Sequence, residues 1–266
     1  MRWFHSVLAT FQFELSNFLS LQRMAVTAIL ALFPPVMLAL IFFGFRFTSE
    51  TFEYPLIVTV LFASIVSLLG MLLWATPNIY SELEGKSWIF VASRPGGRIS
   101  IVLGKYCSAV LFGFTISLIS ITGCLVVIQT MAGSLQNPIW VWFSMNLLYF
   151  IGCMSYGAIY SLIGTLFYRR AMVAAAAYTI VSGMVLANVP AVVSRLTLRY
   201  HLQFIGYQWF GEEAGLNLSD LMAHYALTET PSVGWHLLWL IIAILSALAL
   251  AAWVVVSCEY VTSDET

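Results

Sequence analysis

The sequence predicts an all-α polytopic membrane protein with six transmembrane helices, and three observations support this fold class. Only 9% of the 266 residues are charged and 61% are hydrophobic, whereas soluble domains carry about 25% charged residues. Several uncharged apolar stretches are longer than the ~20 residues that a helix needs to cross a bilayer core of about 30 Å. The basic residues are also distributed unevenly between the connections. We expect a single transmembrane domain over residues 1–266, without a separate soluble domain.

The first predicted element is an N-terminal amphipathic helix within residues 1–23. Aromatic and leucine side chains alternate there with Glu14, serine and glutamine at loosely helical spacing, which is typical of a helix lying in the membrane interface. Pro34 and Pro35 are expected to kink the span that follows. The six predicted spans are residues 24–45, 55–76, 102–129, 140–167, 171–193 and 235–257.

The basic residues orient these spans in the membrane. With a cytoplasmic N-terminus, eight basic residues lie on the inner side and three on the outer side, as the positive-inside rule requires. Both termini are therefore expected in the cytoplasm. The inner residues are Arg2, Arg23, Lys86, Arg94, Arg98, Lys105, Arg169 and Arg170, and the outer residues are Arg46, Arg195 and Arg199.

Two connections are long, the inner one at 77–101 and the outer one at 194–234. The outer connection is amphipathic and acidic, and its apolar runs predict one or two short helices resting on the outer membrane surface. Its histidines and acids raise the possibility of a metal site, but the histidines lack the i, i+4 spacing of metal ligands. We therefore predict no bound metal. The residues concerned are His201, His224, His236, Glu212, Glu213 and Asp220.

The inner connection contains "YSELEGKSWIFVASRP", in which Gly-Lys-Ser resembles the end of a phosphate-binding loop. That loop requires glycine five positions before the glycine of Gly-Lys-Ser, so that backbone N–H groups can surround a phosphate. Position 80 is Tyr80, which rules out this motif. The peptide instead predicts a helix capped by Ser81 and Glu84, continuing to about Ser93 and ended by Pro95. Such a helix is either a docking element or an ordinary inner loop with aromatic residues in the membrane interface.

The wider segment "IYSELEGKSWIFVASRPGGRISIVLGKY" resembles the connection between spans two and three of ABC-2-type permeases, the membrane subunits of one class of ABC transporters. The N-terminal interfacial helix, the six spans and the long outer connection also resemble that family. Trp88 departs from it, because the family more often has a smaller aliphatic residue there. The matching residues are Glu82, Glu84, Gly85, Ser93, Arg94, Pro95, Arg98, Gly104, Lys105 and Tyr106.

The resemblance implies a function and a set of partners. The inner helix would be the coupling helix that contacts a separate ABC ATPase subunit. That subunit would bind ATP and Mg and drive export of a substrate along a translocation path between two permease copies. This chain would bind no cofactor, have no catalytic residue and lie in the cell (inner) membrane as a multi-pass homodimer. The implied ATPase contacts are Ser81, Glu82, Glu84, Gly85, Lys86, Trp88, Phe90 and Arg94.

Two alternatives remain open at this stage. A membrane enzyme or assembly factor would act through the outer connection 194–234. A stand-alone carrier is disfavoured, because the central parts of spans two to five contain no Asp, Glu, Lys, Arg or His, and ion-coupled carriers generally need such groups. In span four, small residues recur every fourth position, which indicates close helix packing or a polar path for a substrate. These residues are Cys153, Gly157, Ser161 and Thr165.

Overall fold

The computed structural model describes residues 2–45, 55–77, 79–84, 88, 97–131, 135, 137–185, 194–211 and 232–258. These residues are predominantly helical, and none of them forms a strand. The α-helices are α1 (Arg2–Phe18), α2 (Leu21–Phe45), α3 (Pro55–Ala75), α4 (Tyr80–Glu84), α5 (Gly97–Met131), α6 (Pro138–Leu166), α7 (Ala171–Ile180), α8 (Leu198–Phe210) and α9 (Val233–Ser257).

Five of the helical segments are long and apolar enough to cross a membrane, which confirms a multi-pass membrane protein. They are Leu21–Gly44, Leu56–Leu83, Gly97–Met131, Pro138–Leu166 and Val233–Ser257. The predicted fifth span, 171–193, is not among them. Its first part forms α7 and a π-helical turn at Val181–Val185, and residues 186–193 lie outside the described ranges. The count of six spans therefore stays a prediction.

The helices form a bundle whose two ends are defined by contacts between distant residues. At one end, called the α4 end, the end of α6 packs on the end of α3: a Cβ atom on Gly164 would stand against the carbonyl oxygen of Thr76. At the same end, Arg98 donates a hydrogen bond of 3.2 Å to the carbonyl of Val256. At the opposite end, called the α8 end, the indole of Trp140 donates to the carbonyl of Trp209 at 3.1 Å.

Polar side chains join α3, α5 and α6 inside the bundle. The Tyr149 hydroxyl donates to the Val60 carbonyl at 2.7 Å, and the Tyr106 hydroxyl donates to the Met154 carbonyl at 3.1 Å. A buried hydroxyl must find such an acceptor, because leaving it unpaired costs about 1–3 kcal/mol. These bonds therefore fix the relative positions of the three helices.

The small-residue stripe of α6 serves packing. Cys153, Ser161 and Thr165 are at most 1% exposed. A Cβ atom on Gly157 would stand 2.5 Å from the terminal methyl of Met71 in α3. Small side chains thus allow close approach of neighbouring helices, and these four positions are enclosed by protein. The other interpretation, a polar path for substrate, is not supported by this burial.

The proline pair of the first span does not interrupt its helix. Helix α2 continues through Pro34 and Pro35, and a Cβ atom on Gly123 of α5 would stand 3.0 Å from the ring of Pro35. The glycine therefore gives the proline ring room against α5.

Helix α8 confirms a helix within 194–234, and this helix packs on α6 and α9 of the bundle. Leu202 approaches the Cβ position of Gly152, and Leu148 approaches that of Gly206. Because position 148 precedes 152 while 206 follows 202, α8 runs antiparallel to the first half of α6. Seven of its residues are buried, which explains the docking: Leu198, Tyr200, His201, Phe204, Ile205, Gly206 and Phe210.

Candidate functional site

The inner helix begins earlier than the sequence predicts. The backbone N–H of Ser81 already donates to the carbonyl of Pro77 at 3.1 Å, so Ser81 lies within a helical turn and not at the N-cap. Its hydroxyl accepts a hydrogen bond from the Lys105 ammonium at 2.7 Å. The predicted capping box is therefore wrong, because Ser81 lies after the start of the helix. The predicted extension to Ser93 lies mostly outside the described residues.

Lys105 is the centre of a buried ion-pair cluster, which we call the Lys105 cluster: Glu14, Ser81, Glu82 and Lys105. The lysine nitrogen lies 2.7 Å from Oε1 of Glu82 and 3.2 Å from Oε1 of Glu14. Together with the serine hydroxyl, these carboxylates offer three oxygens to an ammonium that has three hydrogens. The cluster therefore joins three helices, α1 through Glu14, α4 through Ser81 and Glu82, and α5 through Lys105.

Burial makes this cluster important for stability. The Lys105 side chain is 5% exposed, and those of Glu14 and Glu82 are 11% and 14% exposed. Removing one partner from a buried ion pair leaves a charge that neither water nor a counter-ion stabilises, at a cost of about 3–5 kcal/mol. The three helices are therefore held in one arrangement as long as all the charges remain.

Close backbone approach brings α1 to the cluster. A Cβ atom on Gly104 would stand 2.8 Å from Cβ of Thr10 and 3.1 Å from the carbonyl oxygen of Val7. Only glycine leaves room for this contact, which lies one residue before Lys105. Gly104 thus lets α1 pack closely on α5, and the next residue, Lys105, provides the cation that binds Glu14.

A cavity of about 170 Å³ lies beside the Lys105 cluster. Its walls come from α1, the start of α2, the end of α3, α4 and α5. Phe18 stacks on Phe112 with ring centroids 4.5 Å apart, and the Trp74 ring stands edge-on to both. The lining residues are Glu14, Phe18, Arg23, Leu73, Trp74, Pro77, Ser81, Lys105 and Ser108.

Trp88 anchors the inner connection to the bundle. It is 5% exposed and packs in one cluster with Ile79, Ile101, Ala251 and Val255. The side chain that departs from the family pattern is therefore enclosed within this chain. Burial of an aromatic side chain of this size stabilises by about 1.5–3 kcal/mol, which ties the inner connection to the end of α9.

The structure brings together only some of the predicted contact residues. Ser81 and Glu82 meet at Lys105, whereas Trp88 lies in the neighbouring apolar cluster. Glu84 is the last described residue of α4, and its side chain is not described. Gly85, Lys86, Phe90 and Arg94 lie outside the described residues. The sequence predicted Glu14 and Lys105 in separate elements and did not predict their pairing. Two features could have indicated it: a single carboxylate among the apolar residues of α1, and a single lysine near the start of an apolar span.

A second polar pair lies at the α8 end. The Nδ1 atoms of His201 and His236 are 2.8 Å apart, and both residues are at most 2% exposed. One imidazole must donate and the other accept, so the two neutral rings carry their protons on different nitrogens. Trp239 stacks on His201, and Phe204 stacks on His236. Burial, followed by the neighbouring His236, lowers the pKa of His201 to about 4.

Arg199 is a further charged residue of α8 that packs inside the bundle. Its guanidinium donates to the carbonyl of Gly183 in the π-helical turn after α7. This hydrogen bond joins α8 to the turn that follows α7.

No metal site is assembled within the described part of the chain: it contains no group of three or more histidine, cysteine, aspartate or glutamate side chains. His224, Glu212, Glu213 and Asp220 lie outside it. Compared with family models, curated proteins and solved structures, the chain matches none of them.

Proposed function

We propose that this chain is the transmembrane permease subunit of an ABC-2-type transporter, in which a separate ATPase subunit drives substrate across the membrane. The observation that carries the proposal is the Lys105 cluster. A helix that receives force from a soluble partner must be joined rigidly to the spans, because otherwise its displacement would be lost in a loop. Lys105 supplies that joint, 2.7 Å from Glu82 of α4 and within the backbone of α5.

The cluster also explains how one displacement reaches two elements. Movement of α4 carries Glu82 and Ser81, and through Lys105 it moves both α5 and the interfacial helix α1. Trp88 adds a second attachment, to the end of α9. A push on the inner connection is thus distributed over α1, α5 and α9. Residues Glu84, Gly85, Lys86, Phe90 and Arg94 are proposed to face the ATPase, while Ser81, Glu82 and Trp88 hold the helix to its own chain.

The positions of the chain segments support six crossings. Helix α6 ends at the α4 end, where Gly164 meets Thr76, and α8 finishes at the α8 end beside Trp140. The residues between them must therefore lead from one end of the bundle to the other. We propose that 171–193 forms this fifth crossing, of which α7 and the π-helical turn Val181–Val185 are the described part.

The orientation follows from the same two ends. Arg23, Arg98, Lys105, Arg169 and Arg170 belong to the α4 end, whereas only Arg195 and Arg199 among the described basic residues belong to the segment leading into α8. The positive-inside rule therefore favours a cytoplasmic α4 end. Both termini would lie in the cytoplasm of a cell (inner) membrane protein, where an ATP-hydrolysing partner is accessible.

The proposed division of labour leaves the chemistry to the partner. ATP and Mg would bind the ATPase subunit, and this chain would form the translocation path, with a second permease copy as a homodimer and export as the direction. Closure of two ATPase subunits around ATP would move the two inner connections, and the spans attached to them would reorient.

The test is co-expression of the chain with ABC ATPase subunits of its source organism, one at a time, followed by reconstitution in lipid nanodiscs. We expect one subunit to co-purify and to hydrolyse ATP faster in the complex. Glu84→Lys with Lys86→Glu should abolish co-purification, whereas Lys105→Met should retain it but lose most of the ATP-dependent transport. Arg169→Gln, an exposed basic residue at the same end, is the matched control.

Two results would overturn the proposal. One is that no ATPase subunit associates with the chain. The other is transport of a substrate by the chain alone in proteoliposomes without ATP, which would favour a stand-alone carrier. The alternative of a membrane enzyme or assembly factor acting through 194–234 predicts a different pattern, in which changes in that segment abolish activity and changes at Lys105 do not.

A further inference from the structure

We propose that the cavity beside the Lys105 cluster binds the zwitterionic headgroup of phosphatidylethanolamine. The phosphate would lie against Arg23 and Trp74, and the primary ammonium against Glu14. This inference does not depend on the proposed function, because it concerns a lipid bound at the bundle surface and not the transported substrate.

The positive side of the cavity is formed by Arg23. Its guanidinium carbon lies 5.6 Å from the centroid of the Phe18 ring and 5.7 Å from that of the Trp74 ring. These aromatic faces hold the cation in place, but they leave its five N–H groups without a carboxylate. Among the described residues, Arg23 forms no ion pair: the two carboxylates whose side chains are described, Glu14 and Glu82, both pair with Lys105.

Trp74 supplies a second donor at the same place. Its indole nitrogen is buried and has no hydrogen-bond acceptor among the described residues. Leaving a buried donor without an acceptor is unfavourable, so a ligand oxygen there would be favoured. Arg23 and Trp74 both line the cavity, so the proposed phosphate is placed between them. Phosphate oxygens are strong acceptors for such charge-assisted hydrogen bonds.

The negative side of the cavity is formed by Glu14. The Lys105 cluster contains one ammonium and two carboxylates, so its formal charge is −1. Lys105 lies closer to Glu82, at 2.7 Å, than to Glu14, at 3.2 Å. Glu14 is therefore the carboxylate with charge to offer a further cation, and it lines the cavity. A primary ammonium can donate hydrogen bonds to it.

This arrangement of opposite charges selects among headgroups. A phosphocholine group carries a quaternary nitrogen that has no hydrogen to donate to Glu14. An anionic phosphoglycerol group would bring a negative charge without a cation toward Glu14. Phosphoethanolamine carries both complementary charges, separated by a two-carbon link. A cavity of about 170 Å³ accommodates such a small headgroup, and the amphipathic helix α1 beside it indicates the depth of lipid headgroups.

The experiment is a lipid titration read out by native mass spectrometry. The full chain in detergent is mixed with phosphatidylethanolamine, phosphatidylcholine or phosphatidylglycerol of identical acyl chains, and the bound lipid is counted after the detergent is removed in the spectrometer. We expect phosphatidylethanolamine to bind at least about tenfold more tightly than the other two, because only its primary ammonium donates a charge-assisted hydrogen bond to Glu14. Arg23→Gln and Glu14→Gln should each remove that preference. Arg169→Gln, whose guanidinium stacks on Tyr168 at the same end, should keep it.

Trp74→Phe tests the site with the least effect on folding, because it retains an aromatic ring and removes only the indole donor. It should weaken phosphatidylethanolamine binding without lowering the melting temperature. Equal binding of all three lipids would overturn the proposal, as would tighter binding of phosphatidylglycerol. Free phosphoethanolamine is the last arm: if it competes with the lipid at equal concentration, the ligand is a soluble compound and the lipid assignment is wrong.

Discussion

Gly104 of α5 and Thr10 of α1 are in direct contact: a Cβ atom on residue 104 would stand 2.8 Å from Cβ of the threonine. Real Cβ atoms do not approach so closely, so any side chain at 104 must displace α1. The displacement would also separate Glu14 from Lys105. Glu14 lies one helical turn after Thr10 in α1, and Lys105 directly follows Gly104 in α5. The glycine therefore determines the geometry of the charge cluster.

Gly104→Ala is predicted to destabilise the protein by about 1–3 kcal/mol, the usual cost of overpacking a close contact. Thermal unfolding in detergent or nanodiscs measures this effect. Gly44→Ala is the matched control, because it also lies in an apolar helix and has nothing within 4 Å of its Cβ position. Equal melting temperatures for the two variants would show that α1 is not packed on α5 as described.

Lys105→Met is predicted to cost about 3 kcal/mol or more, because it leaves Glu14 and Glu82 buried without their cation. Neutralising the carboxylates in the same chain, as Lys105→Met with Glu14→Gln and Glu82→Gln, should restore most of the stability. Denaturant or thermal unfolding of the three proteins separates these cases. A triple variant that is less stable than the single one would contradict a charge-based cause.

Acidification is predicted to weaken the packing of α8 on α9. Folding lowers the pKa of His201 to about 4, so between pH 6.5 and about 4 the unfolded chain binds more protons than the folded one. Stability is therefore complete above about pH 6.5 and decreases as the pH falls through that window, by at most about 1.4 kcal/mol per pH unit for one group.

Melting temperatures between pH 7.5 and 4.5 measure this dependence. His201→Phe should flatten the profile, since an aromatic ring that does not titrate replaces the imidazole. His5→Gln changes an exposed histidine of α1 and should leave the profile as it is. A flat profile for the unsubstituted protein would show that the histidine pair is accessible to water.

Apolar length and composition predicted the multi-pass helical class, because a segment that lies in lipid has to be apolar throughout. The same property hides tertiary contacts: nothing in the residues around Glu14 indicates which cation it meets 91 positions later at Lys105. Pairing across that distance depends on how α1 lies on α5, which a single glycine permits. The packing angle between α1 and α5 does not follow from the residues of either helix alone.

Local rules failed where tertiary contacts competed with them. Ser81 is a residue type that often caps helices, but the helix begins before it, and its hydroxyl accepts a hydrogen bond from Lys105 of α5. The run Leu198–Phe210 has the amphipathic character of a surface helix, yet its apolar side packs on α6. In both cases the helix was predicted and its surroundings were not, since amphipathicity does not distinguish a lipid surface from a protein surface.

The docking of α1 on Gly104 has a consequence for synthesis. The ribosome completes α1 well before it makes residues 104 and 105, and at about 5–20 residues per second that interval lasts several seconds. During this time Glu14 has no lysine and the apolar side of α1 has no protein partner. The contact between α1 and α5 therefore forms only after the first two long helices, α2 and α3, have been synthesised.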